Sequence, residues 1–383
     1  MTGVSRATDH GRTRGWVVGR VAGAPVVVSP GWVVAAVVLV AVFGPAVQRL
    51  VPGTGSGAYA VAGVFVALLL ASVFLHELAH ALVARRRGVE VRELAVTLLG
   101  GHTQFGAAAP TPATSALIAV AGPATNIALG LVAWAASSWV PDGIATLVVT
   151  AAAVANGFVG VFNLLPGLPL DGGRVLEAAV WAGTGRRSTG TAAAGWVGKA
   201  VAVGVVAWIL LLPLARGTTP SLTSVVWGAL IGAFLWSGAT QAIRGARAAG
   251  AVEALTVTGL MRPAVGLPRS TTLHQLADRA LPTGIGVVVL DEAGATTGCV
   301  DPQAVAAVPA THRAGTPLDA VCVPAPPQAC VPADLTGSPA VEAIARASRH
   351  AALMPVLDRQ GRVVGVLHTP DVVRALRRPP ARR

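Results

Sequence analysis

Long apolar runs alternate with short polar connections over the first two-thirds of the chain: Pro30 to Gln48, Ala58 to Ala84, Thr114 to Val140, Gly143 to Leu165, Ala192 to Leu214 and Leu222 to Ile243. A helix rises about 1.5 Å per residue, so crossing a hydrocarbon layer of about 30 Å takes about 20 apolar residues. Each run therefore predicts a membrane-spanning helix. Between the second and third runs, GVEVRELAVTLLGGHTQFGAAA (88–109) is too polar to span and alternates at Val89, Val91, Leu94 and Val96. That pattern predicts short strands around a Gly100-Gly101 turn, forming a membrane-associated hairpin on the cytoplasmic side. After about Gly250 the apolar runs shrink and alternate with turn signals, which predicts an α/β module reaching about residue 378. Its two halves, about 253–308 and 316–378, look alike. Each has an opening helix, a strand ending in an acidic turn (VVVLDEAG, MPVLDRQG), a second strand and a closing helix.

Composition agrees with the pattern. The 383 residues are 53% hydrophobic and 12% charged, with a mean hydropathy of +0.65, which is an integral membrane protein's balance. The net charge of +12 does not indicate nucleic acid, because Lys199 is the only lysine and the arginines gather at the ends of apolar runs. They act as topology signals. Arg14 and Arg20, Arg85 to Arg87, Arg186 and Arg187, and Arg244 and Arg247 alternate with nearly uncharged links such as VPGTGSG and SSWVPDG. By the positive-inside tendency both termini are cytoplasmic, with Arg49 and Arg216 outside. Arg6 and Arg12 also precede the first run, which has no small-residue cleavage site, so no removed signal peptide is expected. Cys299, Cys322 and Cys330 fit no common zinc spacing and read as small buried hydrophobes in a reducing compartment.

The second run carries FLHELAH, with His76, Glu77 and His80 inside an otherwise apolar segment. Ionisable groups are expensive there, at least ~2.5–3.5 kcal/mol each at a helix centre, so they mark function. At i and i+4 the two imidazoles share a helix face, about 6 Å apart, and can reach one metal ion. Glu77 stands where a general base would act on water at a zinc ion. A catalytic zinc site takes a third protein ligand. The best candidate is Asp171 in FNLLPGLPLDGGR, where Pro166 and Pro169 break the helix; irregular backbone at membrane depth lines a cavity or is buried in protein. The alternative is a Pro/Gly loop leaving the bilayer, with Asp171 capping the next helix. Topology favours the ligand. His80 lies about 7.5 Å along the helix before Arg85, and the fourth run descends the same way, bringing Asp171 out on the same side.

HELAH in one span and NLLPGLPLDGGR at the end of another together resemble the site-2 protease family of intramembrane zinc metalloproteases, and the appended module resembles its subgroup with a cytoplasmic pair of CBS domains. The likeness covers almost the whole chain. It implies an α-helical polytopic fold with about six transmembrane helices and a C-terminal α/β CBS pair. It also implies one Zn2+ held by His76, His80 and Asp171, and Glu77 as general base. The Gly100-Gly101 segment is similar to a hairpin thought to align an extended substrate, and AGPATN (Ala121 to Asn126) matches a family segment in the third span. Asn163 opens the family's NxxPxxPxDG pattern; its amide either donates to an oxyanion or ties down the unwound loop. His102 has no assigned partner. In CBS pairs a Thr and an Asp at a closing helix bind an adenine nucleotide, and HTPD keeps them as Thr369 and Asp371, whereas the first repeat has Gln303 in place of the aspartate. The pair either binds the nucleotide or is structural and forms a dimer.

The leading expectation is an endopeptidase of the cell membrane that cuts a single-pass membrane protein near the cytoplasmic face, in regulated intramembrane proteolysis. The other is a CBS-gated transporter or channel whose histidines and carboxylates line an ion path. That reading gives no reason for the adjacent His-Glu order, and the spans show no inverted repeat.

Overall fold

The computed structural model describes residues 15–21, 23–97, 100–106 and 108–377. Arg6, Arg12, Arg14 and the side chain of His102 lie outside that description. The chain forms two compact units that part between Ala246 and Arg247.

In the first unit the apolar runs are helices: α1 (Pro30–Leu50), α2 (Gly57–Arg86), α3 (Pro112–Ser137), α4 (Ile144–Asn163), α6 (Arg187–Ala215) and α7 (Leu222–Glu253). All six are long and apolar enough to cross a membrane. α7 outlasts its apolar run because RGARAAGAVE contains good helix formers and no proline. Between α4 and α6 lies an extra helix, α5 (Asp171–Thr184), which ends at Gly185 in the left-handed conformation. At 14 residues it is too short to span.

Burial in this unit is inverted relative to a water-soluble protein. Trp134, Leu131, Val132 and Phe158 point outward, while Ser72, His76, Glu77, His80, Thr114, Asn126, Asn156 and Glu177 are buried. Hydrocarbon solvates the apolar surface and leaves polar groups to find each other inside. The chain is a multi-pass membrane protein.

A four-stranded sheet joins the helices, in the order β1 (Trp16–Val21), β2 (Ala24–Val28), β3 (Val91–Thr97), β4 (Gly100–Phe105). β3 and β4 are the strands expected between the second and third spans. β1 and β2 were not foreseen, because APVVV merges with the apolar run of α1 and only Ser29-Pro30 separates them. β2 runs parallel to β3, Val26 beside Leu94 and Val28 beside Val96. Ala24, Val26 and Leu94 pack on Ala81 of α2, so the sheet is anchored beside the HELAH turn.

The second unit contains α8 (Val257–Leu260), β5 (Arg262–Pro268), α9 (Leu273–Asp278), β6 (Gly286–Leu290), β7 (Thr296–Val300), α10 (Pro302–Ala307), β8 (Cys322–Pro324), β9 (Val331–Pro332), α11 (Gly337–Ala347), β10 (Leu353–Leu357), β11 (Val363–His368) and α12 (Thr369–Arg377). Its strands form one sheet ordered β8-β7-β6-β5-β11-β10-β9. The two acidic turns are built alike. Asp291 Oδ1 accepts from the amides of Ala293 and Ala295, at 3.0 and 2.8 Å, with Gly294 at positive φ. Asp358 Oδ1 accepts from those of Gln360 and Arg362, both at 2.9 Å, with Gly361 at positive φ. These bonds to the charged form hold the Asp358 carboxyl below its usual range.

Candidate metal centre

His76 and His80 lie one turn apart on the buried face of α2, their rings nearly perpendicular with centroids 4.7 Å apart. Asp171 reaches them from the first turn of α5, where the helix dipole favours a negative charge. Its Oδ2 lies 3.1 Å from His76 Nε2 and 3.4 Å from His80 Nε2, and the two Nε2 atoms are 3.0 Å apart. One ligand atom from each residue falls within 4.8 Å of the others. α5 has no side-chain cap, so the carboxylate faces the histidines and not the helix amides.

The outer ring nitrogens settle what these three atoms carry. His80 Nδ1 is 2.6 Å from the carbonyl oxygen of Ile118 on α3, which only accepts, so the ring donates there. His76 Nδ1 meets Asn126 Oδ1, while Asn126 Nδ2 donates at 2.9 Å to Asn156 Oδ1 on α4. Both rings therefore hold their proton on Nδ1 and turn an Nε2 lone pair inward. Two lone pairs and a carboxylate oxygen converge in a buried site, which is the donor set of a divalent cation. Two imidazoles and one carboxylate suit zinc, and three protein ligands leave a coordination position open. Gly122 of α3 makes the room, because a Cβ there would overlap both imidazole edges.

Glu77 is buried beside the histidines and held from the hairpin. Thr103 Oγ1 donates to Glu77 Oε2 at 2.9 Å, and Gly101 lies against the same side chain, where a Cβ would strike it. Gly101, Thr103 and Phe105 occupy alternate positions of β4 and so share one face. That face, with Glu77, Asp171 and Arg174, lines a cavity of about 180 Å³.

The structure thus brings together His76, His80 and Asp171, with Glu77 next to them. Asn163 is half-buried at the last residue of α4 and is not among the residues lining the cavity. Thr369 and Asp371 open α12 in the second unit. There Thr369 donates to the Ala352 carbonyl at 3.2 Å, and Asp371 pairs with Arg262 at 2.6 Å and Arg374 at 3.1 Å. Sequence reasoning noticed AGPATN without giving Asn126 a role, and it missed Asn156 and Thr103. The usable signal was an amide inside an apolar span, at two places.

Residues 64–142 and 137–207 match the model of peptidase family M50, and 321–378 match that of the CBS domain. A Mycobacterium tuberculosis protein named as a zinc metalloprotease, Rip3, is 41% identical over 235 residues, covering 58% of this chain and 57% of its own length. One from Synechocystis, also named as a zinc metalloprotease, is 32% identical over 253 residues, covering 64% of each. The chain thus spans somewhat more than half the length of these curated relatives. Among solved structures, a site-2 protease from Methanocaldococcus jannaschii is similar at 25% identity and a TM-score of 0.43, over 60% of this chain and 95% of that one. Residues 64–207 are thus similar to peptidase family M50 and the chain to relatives named as zinc metalloproteases, while residues 321–378 are similar to the CBS domain.

Proposed function

We propose that this protein is an endopeptidase that cuts single-pass membrane proteins near their cytoplasmic boundary, as a step of regulated intramembrane proteolysis. The observation that carries the reading is the convergence of His76, His80 and Asp171, with His80, Asp171 and Glu77 lining one cavity. Zinc held by those three residues supplies a Lewis acid that lowers the pKa of water and polarises a peptide carbonyl.

The chain's own groups do the rest. Thr103 occupies Glu77 Oε2, and Oε1 has no hydrogen bond among the described residues, so Oε1 is the atom that takes the proton of the attacking water and passes it to the leaving amine. Asn163 precedes the loop that delivers Asp171 but does not line the cavity, which leaves its amide either a donor to the oxyanion or a tie for that loop. A substrate helix keeps its carbonyls hydrogen-bonded and must unwind first, which is easiest at Gly, Pro or Asn. The cavity face of β4 is in place to hold the freed strand.

The arginines at the span ends support cytoplasmic termini, which puts the metal centre toward the cytoplasmic side. For the CBS module, the ion pairs that already hold Asp371 favour a regulatory and dimer-forming role over an adenine-nucleotide site at Thr369 and Asp371.

The test is reconstitution of the purified protein in vesicles with a single-pass substrate. We expect wild type to hold about one zinc per chain and to cut. Glu77→Gln should hold zinc and lose cleavage by about 10²–10⁴-fold, while His76→Ala, His80→Ala and Asp171→Ala should lose zinc. A Glu77→Gln form with full activity would remove the general base from the reading, and scissile bonds at the opposite face would overturn the topology.

A further inference from the structure

Two asparagines that ligate nothing sit behind the metal centre in a chain of defined polarity. Asn126 on α3 is fully buried and Asn156 on α4 is 6% exposed. Asn156 Nδ2 donates to the carbonyl of Ala152, one turn back on its own helix, at 2.9 Å. That bond turns Asn156 Oδ1 toward α3, where it accepts from Asn126 Nδ2 at 2.9 Å. Asn126 must then present Oδ1 to α2, where it accepts from His76 Nδ1. A flipped amide at either position would set two donors or two acceptors against each other in a dry interior, at about 1–3 kcal/mol for each group left unsatisfied.

We propose that Asn156 is a positioning residue for the metal centre. Through Asn126 it fixes the tautomer and ring plane of His76, so that a helix contributing no ligand decides which nitrogen faces the metal. The inference rests on the zinc reading above. α4 meets the site twice: Asn156 stands behind one ligand, and the loop after Asn163 delivers Asp171. Displacement of α4 would therefore disturb two of the three ligands together. His80 lacks such a relay, since its Nδ1 donates directly to a backbone carbonyl that cannot flip. The two histidines thus differ in how far their ligand geometry depends on a remote side chain.

The discriminating substitution is Asn156→Ser. A serine hydroxyl still bonds to the carbonyl one turn back, so the bond within α4 remains while the acceptor for Asn126 Nδ2 is lost. With full-length protein in detergent, Zn2+ affinity is read by competition with a chromophoric chelator, the ligand field by the absorption spectrum of the Co2+-loaded form, and folding by thermal melting. Asn126→Ala should weaken zinc binding on the order of 10–100-fold. Asn156→Ser should weaken it several-fold and alter the Co2+ spectrum in a protein that still folds and melts cooperatively, at a temperature lowered by the unpaired Asn126 amide. The Asn126→Ala, Asn156→Ser double variant should bind no worse than Asn126→Ala alone, because the second change acts through the first. Thr125→Val, which removes a hydroxyl bonded within α3 beside Asn126, should leave zinc binding unchanged. Wild-type zinc affinity and spectrum in a folded Asn156→Ser protein would overturn the proposal, as would strict additivity in the double variant. Absence of zinc from wild type itself would instead overturn the zinc reading on which it rests.

Discussion

Thr103 donates its hydroxyl proton to Glu77, with Oγ1 2.9 Å from Oε2. The bond ties the β3–β4 hairpin to the turn of α2 that carries the histidines and leaves the second carboxylate oxygen for the proton transfer proposed above. Thr103→Val removes the donor at nearly constant shape. A hydrogen bond to a charged group contributes about 1.5–3 kcal/mol, so kcat should fall by at least about tenfold while zinc content and KM stay close to wild type. Thr103→Ser should recover most of the rate. A Thr103→Val protein with wild-type kcat would show that the hairpin does not hold the base.

Two glycines at the centre should fail in different ways. A methyl group at Gly122 overlaps both imidazole edges, whereas one at Gly101 strikes the Glu77 side chain. Gly122→Ala is therefore expected to lose zinc, and Gly101→Ala to keep zinc and lose turnover. Metal analysis beside a cleavage assay separates them, and equal zinc in both variants would contradict the placement of α3 against the histidines.

Asn163→Ala tests the oxyanion assignment. Loss of one oxyanion donor lowers kcat by about 10²–10³-fold. A fall of that size with unchanged KM and zinc supports the assignment, while lost stability with normal kcat makes Asn163 a loop residue.

In the CBS module, Asp371 is held by Arg262 and Arg374. Calorimetry with AMP and ATP should show no binding to wild type. Binding that Asp371→Ala abolishes would turn the module into a nucleotide sensor.

Cys299 is buried in the sheet, and burial, with smaller contributions from Cys330 and Cys322, pushes its thiol up to about 12. At pH 8 only about one part in 10⁴ is thiolate, the reactive form. Iodoacetamide should therefore leave Cys299 unmodified in native protein and label it once the module is unfolded, as peptide mass spectrometry can read. Fast native labelling would place it elsewhere.

Periodicity and composition by themselves determined the membrane class, the six spans and the α/β module, because a bilayer allows few solutions to a twenty-residue apolar run and a soluble sheet demands short alternating ones. The candidate metal ligands were legible for a related reason. Ionisable groups in hydrocarbon are too costly to be incidental, and His76 and His80 are neighbours on any helix. Asp171 was a candidate from the Pro-broken segment that holds it, its matched depth and the family resemblance of NLLPGLPLDGGR; its approach to both Nε2 atoms depends on how the Pro-rich loop and α5 pack. Thr103, Asn126 and Asn156 gained their roles only in the folded molecule. A threonine or asparagine forms a satisfied hydrogen bond in many settings, and which one is set by the register of β4 against α2 and the approach of α3 to α4. Those relations join residues far apart in the chain, and no local pattern encodes them.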